Sequence, residues 1–319
     1  MPGEITSDRG AGPSDSPILD DLVQPFILET SGIRGRLVKL GDSLETILGR
    51  HDYPDAVAAT LGELLLLAGL LSSMLKYSGV FTLQVKGEGA INIMVADVTS
   101  EGDLRGYAGF DQDKLSAVMA SRDVDSGRFT VPELLGKGYL AFTVDQGSAS
   151  ERYQGIVDLD GDSLSDCLLH YFRQSEQLQT GLMIAVQKVG GRWRGGGLGL
   201  QRLPDEAKTS GQNDDLREED WRRSMILQAS CTEDELLDID LPANDLLFRL
   251  FHEEGVRVFE RRAVMFGCRC SRSRLEAVLS QMPREEVETL KVDGEVVATC
   301  EFCNTDYRYD DTALDRLYK

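Results

Sequence analysis

Two stretches near the C-terminus decide how the chain is read: "FGCRCSRSRLEAV", Phe266–Val278, and "VATCEFCNTDYRY", Val297–Tyr309. They hold four of the six cysteines, as C-x-C (Cys268, Cys270) and C-x-x-C (Cys300, Cys303). Thiols two or three positions apart reach one metal from a single turn. Two such pairs supply the four thiolates of a tetrahedral zinc site, with zinc–sulfur distances of ~2.3 Å. Disulfides and four unrelated free thiols are the competing readings. The C-x-C half is less usual for a structural site. A disulfide between Cys268 and Cys270 would close a small, strained ring, and strained disulfides are readily reduced again. The spacing therefore predicts one Zn2+ held by Cys268, Cys270, Cys300 and Cys303 in the reduced state, with the chemistry of a switch.

The surrounding module, residues 263–319, supports that reading. "AVMF" reads as a short strand leading into Cys268, "RSRLEAVLSQ" as a helix, and Pro283 opens a second helix, "PREEVETL". "VDGEVVAT" is a turn and strand running into Cys300, and "YRY" a last strand. So few apolar residues, in a unit of fewer than about sixty, usually need a metal or crosslink to fold.

Upstream, residues 18–204 mix strands and helices in an α+β pattern rather than a repeated βαβ one. "VFTLQVKG", "AINIMVAD" and "YLAFTVD" alternate. They place Phe81, Leu83 and Val85, then Ile91, Ile93 and Val95, then Leu140, Phe142 and Val144 on single faces. "LMIAVQKV" and "GLGLQRL" close the segment. Helices are expected over "PDAVAATLGELLLLAGLLSSMLK", starting at Pro54, and over "SLSDCLLHYFRQSEQ". Residues 205–262 change character, with sixteen acidic and eight basic residues. Three helices are expected there, one opened by a Thr232/Glu235 capping box and one carrying Leu246, Leu247, Leu250 and Phe251 up to Gly255. Short and highly charged, they need another surface to be stable, so the region reads as an acidic, metastable helical linker docked on the core. Residues 1–17 are rich in Gly, Pro, Ser and Asp and read as a disordered tail.

The formal charge is −20, from 54 acidic and 34 basic residues. Such a surface disfavours nucleic acid and anionic lipid. The N-terminus lacks the apolar run of a signal peptide, and Leu64–Leu75 reads as a buried helix, not a membrane span. A soluble, cytoplasmic location follows, a reducing one where clustered cysteines serve metal or redox chemistry.

Other motifs have plainer readings. "GGRWRGGGLGL" lacks the ending of a phosphate loop and reads as a glycine-rich hairpin turn. His51, His170 and His252 stand at no nucleophile–base spacing. Cys167 sits in an apolar helix pattern and reads as core, while Cys231 is expected to be partly exposed. Four thiolates would leave zinc no open position, so no enzyme activity is expected. A zinc-ribbon nucleic-acid-binding regulator is the alternative, but residues 263–319 carry eleven acidic against eight basic residues.

The stretches "HDYPDAV", "YFRQSEQLQT", "LPANDLLFRLFHEE", "VMFGCRCSRSRLEAVL" and "EVVATCEFCNTDY" resemble the thirty-three-kilodalton heat-shock protein family, bacterial redox-regulated holdase chaperones. The likeness runs from about Asp20 to near the end, and the tail to Pro17 has no counterpart in it. It implies a reduced, zinc-bound, inactive form. Oxidation would form Cys268–Cys270 and Cys300–Cys303 disulfides, release zinc and unfold the linker. The chain would then dimerise and hold unfolded client proteins without ATP. From the residues, the client surface is expected on strands Phe81–Val85 and Ile91–Val95 or on the linker helices.

Overall fold

The computed structural model describes residues 20–122, 127–146, 153–202 and 214–318. The expected tail, and nearly all of the stretch "DEAKTSGQNDD" that opens the expected linker, lie outside the described residues. In chain order the first elements are β1 (Leu22–Leu28), β2 (Arg34–Leu40), α1 (Asp42–Leu48), α2 (Asp55–Met74), β3 (Val80–Gly87), β4 (Ile91–Thr99) and β5 (Asp103–Phe110). There follow α3 (Gln112–Ala120), α4 (Val131–Leu134), β6 (Gly138–Asp145), β7 (Tyr153–Asp158), α5 (Leu164–Gln174), β8 (Gln179–Val189) and β9 (Arg192–Arg202). Then come α6 (Asp214–Ala229), α7 (Glu233–Leu237), α8 (Ala243–Phe251), β10 (Val256–Val258), β11 (Arg262–Ala263) and β12 (Met265–Phe266). The C-terminal part holds α9 (Arg272–Leu279), α10 (Arg284–Thr289), β13 (Lys291–Val292), β14 (Glu295–Thr299), β15 (Asp306–Tyr309) and α11 (Asp311–Leu317).

These elements build the expected α+β architecture. One sheet runs β10-β1-β2-β9-β8 with β11 also on β1, a second runs β12-β5-β4-β3-β6-β7, and β13-β14-β15 form a third. The apolar helix α2 lies between the first two. Its Gly69 approaches Val38 of one sheet, and its Leu61 and Leu65 approach Gly106 of the other. Burial from both sides explains why α2 is apolar around its circumference rather than along one stripe. By length and composition it could cross a membrane, but Leu61, Leu64–Leu67 and Leu70 are fully buried inside the fold.

Strands β3 and β6 bury Phe81, Leu83, Val85, Leu140, Phe142 and Val144 as the alternation predicts. Strand β4 does not follow its expected face. A bulge between Ile91 and Ile93 shifts the register, so Met94, Ala96 and Val98 turn inward while Ile93 and Val95 are half-buried. The glycine-rich stretch also divides. Its turn is Gly190–Gly191, both at positive φ (59° and 82°), whereas Gly195–Gly197 lie inside β9. There they admit helices on both faces. A Cβ on Gly195 or Gly197 would meet Leu66 or Leu70 of α2, and one on Gly196 would meet Leu236 of α7.

The acidic helices α6, α7 and α8 cover the outer face of the first sheet. Leu236, Leu237, Leu246, Leu247, Leu250 and Phe251 form one buried cluster with Leu22, Phe26, Leu28, Leu37, Leu198 and Leu200. The rings of Phe26 and Phe251 stack at 5.7 Å between centroids. Strand residues Phe81–Val85 instead pack in the cluster around α2. The apolar surface under the acidic helices is therefore the β1-β2-β9-β8 face.

Polar groups pin the same interface. Lys39 of β2 is fully buried, and its Nζ donates to the carbonyls of Asp238 (2.5 Å) and Leu241 (2.7 Å). Gln228 Nε2 donates to Leu198 O at 2.8 Å, and Arg223 pairs with the buried Glu254. Cys231, expected to be partly exposed, is only 3% exposed: it is sealed in this interface, and burial pushes its thiol up to about 11. Cys167 is core, as expected, with its thiol raised to about 12 by burial. Truncating Phe251 to Ala should cost about 3–5 kcal/mol. Native-state hydrogen exchange should then rise across α6–α8 while α2 stays protected. Uniform loss of protection would mean that the helices are not a separable layer.

Candidate metal centre

Strand β12 pairs in parallel with β5, Met265 beside Asp103 and Phe266 beside Leu104, and delivers the chain to Cys268. After Cys270, the Ser271 hydroxyl accepts from Arg274 N at 3.2 Å and starts α9. Strand β14 ends at Thr299, beside Cys300. A tight turn follows: Asn304 N donates to Cys300 O (2.8 Å), Cys300 N donates to Thr305 O (3.0 Å), and Asn304 adopts φ 54°. The module behind these loops has the thin core expected of it, with Leu279, Val287, Val296, Tyr309 and Leu314 buried together.

The two loops bring all four cysteines together. Their Sγ atoms lie within 4.8 Å of one another, with Cys303 buried and the other three half-buried. Sulfurs of different pairs approach closely: Cys268–Cys300 at 3.7 Å and Cys270–Cys303 at 3.4 Å. A tetrahedron with metal–sulfur distances of ~2.3 Å has sulfur–sulfur edges of ~3.8 Å, so this donor set fits one zinc-sized ion. The histidines stay outside it. His51 Nε2 lies 2.9 Å from Glu301 O, and His252 Nδ1 lies 3.1 Å from Phe248 O.

The thiols differ in their surroundings. Burial pushes Cys270 up to about 12, against the Tyr307 hydroxyl that donates to its Sγ at 3.2 Å. Burial also raises Cys300. At Cys303 the upward push of burial is outweighed, first by the Thr305 hydroxyl 3.2 Å from its Sγ, and the thiol sits at about 7. Thr305 and Tyr307 stand in the second cysteine stretch itself, where their hydroxyls were the available signal.

The spacer residues of both cysteine pairs reach the core. Arg269, the middle residue of C-R-C, places Nη2 2.5 Å from Asp97 Oδ2. Asp97 of β4 is 4% exposed and also takes Arg105 Nη2 at 2.7 Å and the Thr82 hydroxyl at 2.6 Å. Phe302, inside C-E-F-C, lies under the Arg105 guanidinium, 3.8 Å from the ring centroid. Asn304 Nδ2 donates to Arg50 O at 3.2 Å. One buried carboxylate and one arginine thus hold both cysteine loops against the second sheet. No local sequence signal marks Asp97, which is 172 positions from Arg269.

The chain matches the model of the Hsp33 protein family over residues 21–310. It is 38% identical over 302 residues to a 33 kDa chaperonin of Caulobacter vibrioides (strain NA1000 / CB15N), a match covering 93% of this chain and 97% of that one. A 33 kDa chaperonin of Ectopseudomonas mendocina (strain ymp) is 37% identical over 302 residues, covering 94% and 96%. In shape, the chain is similar to the crystal structure of the 33 kDa chaperonin (Heat shock protein 33 homolog) of Thermotoga maritima. The TM-score is 0.78 at 23% identity, over 93% of this chain and 97% of that one, a likeness of fold. The chain belongs to the Hsp33 family, and its relatives' shared name is that of a chaperone, not an enzyme.

Replacing Arg269 by Ala should leave cobalt binding by the four sulfurs intact, because no ligand is touched. The substitution should cost about 2 kcal/mol of docking, the worth of a hydrogen bond to a charged group. Faster exchange at β12 with an unchanged thiolate-to-cobalt absorption band is the expected result. Loss of that band would mean that Arg269 supports the ligand geometry itself.

Proposed function

We propose that this chain is a redox-regulated, ATP-independent holdase, and that the docked arrangement described above is its inactive form. One observation carries the reading: residues between the cysteines, Arg269 and Phe302, make contact with the core. Closure of the sulfur cluster and docking on the second sheet therefore share the same two loops. In the reduced state Cys268, Cys270, Cys300 and Cys303 hold one zinc ion. That ion would supply structural closure, with no open position for substrate.

Oxidation takes two electrons from each pair of thiolates, with two protons drawn from solvent. Each pair consumes one peroxide molecule, which leaves as two waters. With Cys268 joined to Cys270 and Cys300 to Cys303, as family resemblance implies, neither pair remains a metal ligand. With no metal bridging them, the two loops are then free to come apart. Arg269 then leaves Asp97, and Phe302 leaves Arg105. The docked strands β12, β11 and β10 lose their hold at the C-terminal end. Helices α7 and α8, of five and nine residues, are too short to persist without a surface to pack on.

What they uncover is the Leu22, Phe26, Leu28, Leu37, Leu198 and Leu200 face, which suits unfolded or partly folded client proteins. The active form is a homodimer, acts in the cytoplasm, and has no nucleic-acid or membrane partner. The division into a core of residues 18–204, a linker of 205–262 and a redox-switch module of 263–319 belongs to the same proposal.

Hydrogen peroxide with mild warming tests it. Metal content, free thiols and light scattering from an aggregating client are followed together. The reduced sample should carry one zinc and leave aggregation unchecked. The oxidised sample should lose the zinc and the four clustered thiols and hold the client in solution. An oxidised sample that keeps its metal and its compact shape, or protects the client no better than the reduced one, sinks the reading.

A further inference from the structure

An open cleft of about 1000 Å3 lies between the first sheet and the β4–β5 turn. In a chain with twenty excess negative charges, it is lined by arginines. The strand register explains how they gather. In an antiparallel ladder, directly opposed residues share a face. Arg34 and Arg257 both oppose Ile27, Arg36 opposes Pro25, and Arg262 opposes Val23. Val23, Pro25 and Ile27 alternate along β1, so these four of the five lining arginines stand on one side of the sheet.

Few counter-charges meet them. Arg257 Nε pairs with Glu29 at 3.0 Å, both largely exposed. Among the described residues, no carboxylate lies within salt-bridge distance of Arg34, Arg36 or Arg262. Arg36 instead donates to the carbonyls of Ser73 (3.2 Å) and Gly35 (2.7 Å). Burial, then the charges of Arg34 and Arg262, pull the Arg36 guanidinium below its ordinary value. Glu101 and Glu260 also line the cleft, and the Ser100 hydroxyl donates to Glu101.

We propose that this cleft binds an oligophosphate, a small ligand with two or more linked phosphate groups. Guanidinium forks match phosphate oxygens in pairs. Alternate residues on a strand are ~7 Å apart and next-but-one strands ~10 Å apart, so the cationic groups spread wider than one phosphate and suit a short chain of them. An extended peptide fits less well. Strand β1 is paired on one side by β2 and on the other by β10 and β11, so β1 itself offers no backbone edge for a peptide strand. Arg34 and Arg36 belong to the core, whereas Arg257 and Arg262 belong to the segment leading to the cysteine module. A bound oligophosphate would bridge the two and offset their repulsion. If the switch proposed above is right, occupancy would also favour the docked form by mass action.

Calorimetric titration of the reduced, metal-loaded full chain at low salt tests the site, with tripolyphosphate, orthophosphate and oligoglutamate as probes. Tripolyphosphate should bind at least about tenfold more tightly than orthophosphate, and Arg34→Gln and Arg262→Gln should each weaken it about tenfold. Arg192→Gln, at the distant β8–β9 hairpin, should change nothing. Heat from stripping of the metal would be equal in all these variants, so the comparison separates it from binding. Absence of binding, binding unmoved by Arg34→Gln and Arg262→Gln, or preference for oligoglutamate would overturn the site. Tripolyphosphate binding that passes these controls but does not delay oxidative activation would uphold the site and break only its link to the switch.

Discussion

Helix α2 can cover one face of each sheet and no more. A helix packed between two sheets satisfies both inner faces, which is why α2 is apolar on all sides. The first sheet, however, also carries leucines and Phe26 on its outer face. That second face has to be covered by something else in the chain, and α6, α7 and α8 do it. Their own composition is poor for the task. The stretch that contains them has twice as many acids as bases, and the interface relies on a buried lysine, a buried glutamine and a paired glutamate besides its apolar contacts. Burying Lys39 carries a desolvation cost that two carbonyls only partly return. Such a layer stays in place while its ends are held.

The ends are held from the C-terminal side by electrostatics rather than by a large core. Asp97 gathers Thr82, Arg105 and Arg269 around a single carboxylate, and Arg105 in turn stacks on Phe302. Buried ion pairs contribute little net stability when complete but are costly to break by halves, because the remaining charge is stranded. A latch of this kind discriminates sharply between seated and unseated. Removing the loop that carries Arg269 leaves Asp97 with Arg105, so the core tolerates the loss. The same contact can therefore be strong enough to hold and safe to release.

Much of this was legible in the residues, and the failures have physical reasons. The cysteine cluster was readable because its ligands come in local pairs and thiol spacing survives without tertiary information. Strands β3 and β6 were readable because large apolar residues alternate along them. Strand β5 was not, because its buried positions are Leu104, Gly106 and Ala108, too small to mark a period. Strands β1 and β2 were hidden by Pro25 in one and by the buried Lys39 in the other. The face of β4 was misassigned because a bulge adds a residue that no alternation rule anticipates. Helix α11 was missed although Asp310 caps it, its side chain accepting from Ala313 N. Cys231 looked accessible beside a polar cap, but the cap faces water and the sulfur faces the sheet. The Asp97 latch joins positions far apart in the chain, beyond the reach of any local pattern.

The glycines of β9 bear on what the uncovered sheet would be like as a surface. On the outward face of the central strand, Gly196 leaves a gap under Leu236, with Leu198 and Leu200 next along the same face. Glycine also relaxes the backbone more than any other residue. If α7 leaves as proposed, the middle of that face becomes a shallow trough at Gly196, beside Leu198. A trough that yields fits many shapes loosely rather than one shape well, and gives no reason to prefer any particular guest.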